Sequence, residues 1–268
     1  NSAGSTESDP ATLQFPPPAT KSYSDTVKQD NPVGYWRLGE TTGDLAKDAV
    51  GSNDGSYLNR VTLARPGALV GDANTAAGFA TATQTKVDVP WTDALNTAVF
   101  TFECWAKVTG GAGNYRSPVT SRADGPQRGY IFYAEPGNTW LCWTGTGAAT
   151  GWTVLAGPAV QLNSYAHLVG VYDGTTLSFY VNGALAAQRA ATFGPNDQSP
   201  LRIGGGATEG DGNYFFEGDV DEVAVFKTAL PEDRILAHYV AGFPLTTPPS
   251  ITAQPKSQVA LVGATATF

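Results

Sequence analysis

The stretch Tyr165–Ala187, YAHLVGVYDGTTLSFYVNGALAA, constrains this chain more than any other. Two runs rich in β-branched and aromatic residues meet at Asp173-Gly174, and the second ends at Asn182-Gly183 before a short third run. Asp-Gly and Asn-Gly are the pairs that most readily take φ > 0 in succession, which a tight type I′ hairpin turn requires. The segment therefore predicts three antiparallel strands in a meander and, with it, an all-β fold.

Composition points the same way. The 268 residues include 31 Gly and 18 Pro, and only 15% are charged. That is the profile of many short strands joined by tight turns, not of long charged helices. The length suits one large β domain or two smaller ones, and a core of this size needs no disulfide or metal, so a bound metal would act as a local staple. A formal net charge of −8 without any Lys/Arg cluster argues against nucleic acid, whose affinity comes mostly from phosphate neutralisation. No run of 18 apolar residues is present, so no membrane-inserted helix is expected. The chain opens at Asn1 and has no Met, as expected of a processed or excised fragment of a longer protein.

Residues 1–22, with Pro16-Pro17-Pro18, have the Pro/Ser/Thr chemistry of a linker. Ser24 is expected to cap a short helix, SDTVKQD, that Pro32 stops. An irregular acidic loop follows at 43–55, then alternating strands and turns to 226. The clear strands are TKVDVP, FTFECWAKV, YIFYAE, NTWLCWT, the meander, PLRIGG and GDVDEVAVF. A closing helix is expected with Pro231 at its first position, Glu232 and Asp233 at the positive end of its dipole, and Gly242 just beyond its end. Cys104 and Cys142 both fall in strands. They form a disulfide if those strands are neighbours, or are two small buried thiols.

Six motifs in order carry a family resemblance: PVGYWRLGE (32–40), FTFECWAK (100–107), HLVGVYDGTTLSFYVNG (167–183), LRIGG (201–205), GDVDEVAVFKTAL (218–230) and RILAHYVAG (234–242). Together they resemble the laminin-G-like, concanavalin-A-like jelly roll of secreted bacterial proteins, over about 23–243. The resemblance implies two antiparallel sheets face to face, one of them concave, in a secreted or cell-surface protein. In FTFECWAKV, Phe102, Cys104, Ala106 and Val108 share an apolar face, while Glu103, Trp105 and Lys107 share a mixed one. Residues 244–268 are a linker followed by a truncated segment that resembles the start of an immunoglobulin-like module. It implies flanking domains in a larger multidomain chain.

The resemblance also implies a calcium ion. Asp48 opens DAVGSNDG, which resembles the family's Asp-x-x-Gly-x-x-x-Gly loop, and Asp221 lies in the matching late strand. Calcium takes six to eight oxygens. Asp48 and Asp221 are the expected carboxylates, Gly51 and Asn53 the expected carbonyls, and Asp54 or Glu222 spare acids. The competing reading is an acidic loop whose Asp accepts backbone hydrogen bonds.

Two further constellations bear on function. Glu217, Asp219 and Asp221 alternate on one strand face and resemble the paired carboxylates of glycosidases of this fold. Asp in place of the final Glu shortens the reach, and GDVDEV is what non-catalytic relatives carry, so no catalytic residue is assigned. Aromatic residues cluster in and beyond two strands. Trp143, Trp152, Tyr133, Tyr115 and Tyr214, with Arg116 or Arg128 as donors, are the expected ligand contacts. Sugar C–H faces stack on such rings while hydroxyls bond to polar neighbours. Parity sets Trp140 opposite Trp143, so only one of that pair can face a groove. His167 and His238 lack any partner at zinc spacing and read as structural. The expectation is a non-catalytic extracellular module that binds a polysaccharide or glycan. The alternatives are an adhesion or spacer module that meets another extracellular protein, or a glycosidase or lyase using the acidic strand.

Overall fold

A computed structural model describes residues 21–206 and 214–243; all but Lys21 and Ser22 of the linker predicted at 1–22, and the linker and immunoglobulin-like segment predicted at 244–268, lie outside them. In chain order the elements are α1 (Tyr23–Gln29), β1 (Gly34–Trp36), β2 (Leu45–Ala46), β3 (Gly55–Leu58), β4 (Thr62–Pro66), β5 (Thr75–Phe79), β6 (Lys86–Val89), β7 (Phe100–Val108), β8 (Val119–Asp124), β9 (Gln127–Ala134), β10 (Thr139–Gly145), β11 (Trp152–Ala159), β12 (Tyr165–Tyr172), β13 (Thr176–Val181), β14 (Ala184–Ala190), β15 (Leu201–Ile203), β16 (Gly218–Phe226) and α2 (Glu232–Gly242). The first sheet runs β14-β13-β12-β7-β16-β5-β4, with β1 also paired to β16. The second runs β11-β10-β9-β8-β15-β6-β3-β2. All the pairings are antiparallel.

The meander folds as read, with one turn of another kind. Asn182 (φ 53) and Gly183 (φ 76) form the two-residue turn between β13 and β14, both in the left-handed region that a type I′ turn needs. Between β12 and β13 the loop is longer, Asp173–Thr175, and here only Gly174 (φ 102) is left-handed. Asp173 acts through its side chain instead: Oδ1 accepts from the amides of Thr175 (2.8 Å) and Thr176 (2.7 Å), an Asx turn.

Side-chain alternation builds the core between the sheets. Phe102, Cys104, Ala106 and Val108 of β7 meet Tyr130 and Phe132 of β9 and Trp140 and Cys142 of β10. The Phe102 and Phe132 rings stack with centroids 4.0 Å apart. The two cysteines are free and buried, in different sheets, which resolves the open alternative in favour of thiols. Burial pushes both thiols up, so neither has reactive thiolate character.

The outer face of the first sheet is closed by both helices. The mixed face expected for β7 is therefore buried: Trp105 packs with Val169, Val171, Ala224 and Phe226 against Tyr23, Val27, Ile235 and Ala241. Helix α1 and its cap lie two residues earlier than expected. Ser22, not Ser24, caps it, through Oγ accepting from the Asp25 amide (3.1 Å). Pro231 stands just before α2 rather than at its first position, and Gly242 is the last helical residue.

Beneath the helices lies a charged network. His238 Nδ1 is 2.9 Å from Glu103 Oε2, and its Nε2 is 2.8 Å from Asp30 Oδ2. Arg234 Nε donates to Asp30 Oδ1 (3.0 Å), and Tyr23 Oη donates to Glu103 Oε1 (3.2 Å). Burial opposes a charge on His238, but Glu103 and Asp30 outweigh it and push the imidazole up to about 9. Burial likewise opposes ionisation of Glu103, yet His238 and His167 hold it down to about 2. Burial pushes His167 down despite its contact with Glu103, so His238 carries the positive charge.

A folded His238 titrating above an unfolded value of about 6.5 contributes stability fully below that pH and loses it as pH rises through about 9. Glu103, titrating below an unfolded value of about 4.3, contributes above it and loses it as pH falls through about 2. In urea denaturation, His238→Gln should therefore cost about 3–5 kcal/mol near pH 5.5, by stranding a buried carboxylate. The gap from wild type should shrink between pH 6.5 and 9; a gap constant over that range would remove the imidazolium from this account.

Candidate ligand-binding site

With both helices on the first sheet, the second sheet presents its outer face differently. On β9, Tyr130 and Phe132 point to the core, so Ile131 and Tyr133 point outward; on β10, Trp140 and Cys142 point inward and Leu141 and Trp143 outward. Register sets Trp143 beside Ile131 of β9 and Val154 of β11, and Leu141 beside Tyr133. Trp152 at the start of β11 lies 6.0 Å from Trp143, centroid to centroid. Two loop residues complete the group. Tyr115 meets Tyr133 (5.2 Å) and Trp143 (6.0 Å) edge-on, and Tyr214 meets Tyr133 (5.8 Å) and Tyr115 (6.0 Å) the same way.

These five rings, with Arg122, Asp124 and Gln127, line a cavity of about 290 Å³. Five of the six expected contacts thus converge. The sixth, Arg116, does not enter the cavity. It is 1% exposed, and its guanidinium donates to the carbonyls of Gly110 and Glu135 and to Asn138 Oδ1, each at 2.8 Å. Its backbone pairs in both directions with Ala134. Arg116 is a strut that fixes the loop carrying Tyr115. Arg128, the other donor considered, pairs with Asp197.

The cation of the site is Arg122, from the strand β8 that sequence reading passed over. Its guanidinium lies over Tyr214 (5.2 Å) and Trp152 (5.8 Å) and donates to the Tyr133 hydroxyl and the Asp124 carboxylate. Burial works against its charge, but Tyr133 and Asp124 more than restore it. The alternation of Thr120, Arg122 and Asp124 ahead of Gly125-Pro126 is the signal that marks this strand and its outward face.

The residues expected to hold calcium are satisfied separately. Asp48 Oδ1 accepts from the amides of Tyr35 (3.0 Å) and Val50 (3.1 Å), and Oδ2 from the Asn53 amide (3.0 Å). A Cβ at Gly51 would stand 2.8 Å from Asp48 Oδ2, so that glycine admits the carboxylate. The Asn53 carbonyl accepts from Trp36 Nε1 (2.7 Å). Asp221 accepts from the Ala68 amide (2.8 Å) and from Asn74 Nδ2 (3.3 Å). Burial and the neighbouring Glu222 push Asp221 well above the usual carboxylate range. Glu222 is gripped by Arg37, at 2.9 Å from Nε and 2.7 Å from Nη2. Among the described residues no group of three or more His, Cys, Asp or Glu could hold a metal ion. The donor set does not fit calcium in this arrangement.

The acidic strand is engaged as well. Asp219 pairs with Lys107 (2.6 Å) and Arg65 (3.0 Å), and Glu217 accepts from the Thr81 amide (2.7 Å).

Two antiparallel sheets enclosing one core, with helices on one face and an aromatic cavity on the other, define a jelly-roll β-sandwich. The chain belongs to the Concanavalin A-like lectin/glucanases superfamily, whose laminin G-type family model matches residues 81–236. No curated protein matches it. Among solved structures, a Trypanosoma rangeli sialidase in complex with sialic acid superposes with a TM-score of 0.60 at 15% identity, over 78% of this chain and 32% of that one. The binding domain of Paraclostridial Mosquitocidal Protein 1 gives 0.60 at 15% identity, over 80% and 53%. The botulinum neurotoxin serotype D binding domain gives 0.57 at 11%, over 78% and 51%. The chain thus spans about a third of the sialidase and about half of each toxin fragment, and at these identities the likeness is one of fold.

Asp48 should stabilise through its amide bonds and not through a metal. Asp48→Ala should cost about 1–3 kcal/mol, since it strands the buried Tyr35 amide and frees the half-buried amides of Val50 and Asn53, while calcium or a chelator should leave the Tm of the wild type unchanged. A Tm that falls on chelation would establish a calcium site.

Proposed function

We propose that this domain is a non-catalytic module that binds carbohydrate through the aromatic cavity on the outer face of its second sheet. The observation that carries the proposal is the convergence of Tyr115, Tyr133, Trp143, Trp152 and Tyr214 around one cavity beside Arg122, Asp124 and Gln127. A sugar presents apolar C–H faces and polar hydroxyls together. Rings take the first, and a rim of charged and amide groups takes the second. Most of the rings are held by their neighbours and Arg122 is fixed by Asp124 and Tyr133, so little ordering is left to oppose binding.

The cavity supports binding over chemistry. Glycosidic cleavage in this fold class uses two carboxyl groups across the bond. Among the described residues that line the cavity, Asp124 is the only carboxylate, and it is paired with Arg122. The three carboxylates of the acidic strand are bonded to Lys107, Arg65 and the amides of Ala68 and Thr81. The structural neighbours accord with a binding role: one is a sialidase complexed with sialic acid, and two are binding domains of toxins. The laminin G-type family accords with a secreted or cell-surface setting.

A glycan array tests the proposal, and an array without hits would overturn it. Trp143→Ala and Trp152→Ala should each weaken the best hit about tenfold or more, since each removes a stacking face worth on the order of 1–2 kcal/mol. Arg116→Ala should instead lower the Tm, because it releases a buried strut, and should affect binding only through the Tyr115 loop.

A further inference from the structure

We propose that the ligand is a chain of at least two sugars, neutral at one end of the groove, and that Tyr214 divides that groove into two subsites. This rests on the carbohydrate reading above and extends it to the size and charge of the ligand. A second cavity, of about 500 Å³, shares Tyr115 and Tyr214 with the first. The two rings stand at 89° with centroids 6.0 Å apart, forming a saddle between the cavities. Among the described residues, the remainder of the second lining includes Gln84, Asn114 and Phe215 and contains no charged side chain. Amide groups beside an aromatic ring suit a hydroxyl-bearing, uncharged sugar. The charged pair Arg122 and Asp124 belongs to the first cavity alone.

The backbone at Tyr214 supplies an independent observation. Its φ of 66 lies in the left-handed region, where glycine is the default and a bulky residue is strained. The conformation is held from outside: the Tyr214 carbonyl accepts from the Ser117 amide (2.9 Å), and Arg122 lies over its ring. A Cβ at Gly206 would fall 2.2 Å from the Tyr214 Cβ, so that glycine leaves room for the ring. The ring itself is 37% exposed, so core packing does not account for it. Strain kept for a half-open aromatic residue at the meeting of two cavities points to a recognition role.

The test is affinity against chain length. Cello-, malto-, xylo-, manno-, galacto- and N-acetylglucosamine oligomers of one to six units are titrated by calorimetry, with ligand-observed NMR for the monosaccharides. For the wild type, at least one series should gain tenfold or more in affinity from one unit to two or three and then level off. Tyr214→Gly should abolish that gain while keeping or raising the Tm, because glycine accepts the left-handed backbone. Gln84→Ala combined with Asn114→Ala should lower affinity for the longer oligomers and leave monosaccharide binding unchanged. Equal affinity for single sugars and longer oligomers, or a length gain that survives both variants, would overturn the two-subsite proposal and leave the carbohydrate reading standing. Failure of every series to bind the wild type would overturn both.

Discussion

One buried carboxylate organises this molecule. Glu103 stands on the central strand β7 with no exposure to solvent, and an unpaired charge there would cost several kcal/mol. His238 of α2 supplies the counter-charge, and Asp30 and Arg234 extend it toward α1. The two helices are therefore bound to the sheet by electrostatic need as well as by apolar contact. Trp105, Val169 and Phe226 provide the apolar surface on which they rest.

That closure on one side makes the two sheets unequal. Both have an inner face in the common core, but the first is also buried outside, whereas the second carries Tyr133, Trp143 and Trp152 on its outer face beside Arg122. The aromatic group is held by register on β8 to β11 and by two loops, one of them braced by Arg116. Rigid strands set the floor, and loops set the walls.

Much of this was legible in the sequence because period-2 alternation and turn dipeptides act locally. Phe102, Cys104 and Ala106 declare a core face, and Asn182-Gly183 declares its turn. The outward aromatic cluster was legible for the same reason: parity alone separates Trp140 from Trp143. What escaped depends on partners distant in sequence. Arg116 looks like a ligand donor until Gly110, Glu135 and Asn138 are seen around it. Asp48 reads from its loop as a metal ligand or as an acceptor of backbone amides, and the fold adds the amide of Tyr35, 13 residues away, to those of Val50 and Asn53. His238 reads as structural, but its partner Glu103, 135 residues away, shows only in the fold. Arg122 was passed over because its strand contains Ser, Arg and Asp, which read locally as loop.

The parity of β10 has a consequence for how such a domain can change. Trp140 fills the core and Trp143 faces the groove, on one strand three residues apart. Deleting or inserting a single residue between them would turn the outer aromatic face into the interior and send core side chains to the surface. Exchanges of one side chain for another on the outward positions carry no such coupling. The outer aromatic face can thus be remodelled by substitution but not by changes of length within β10.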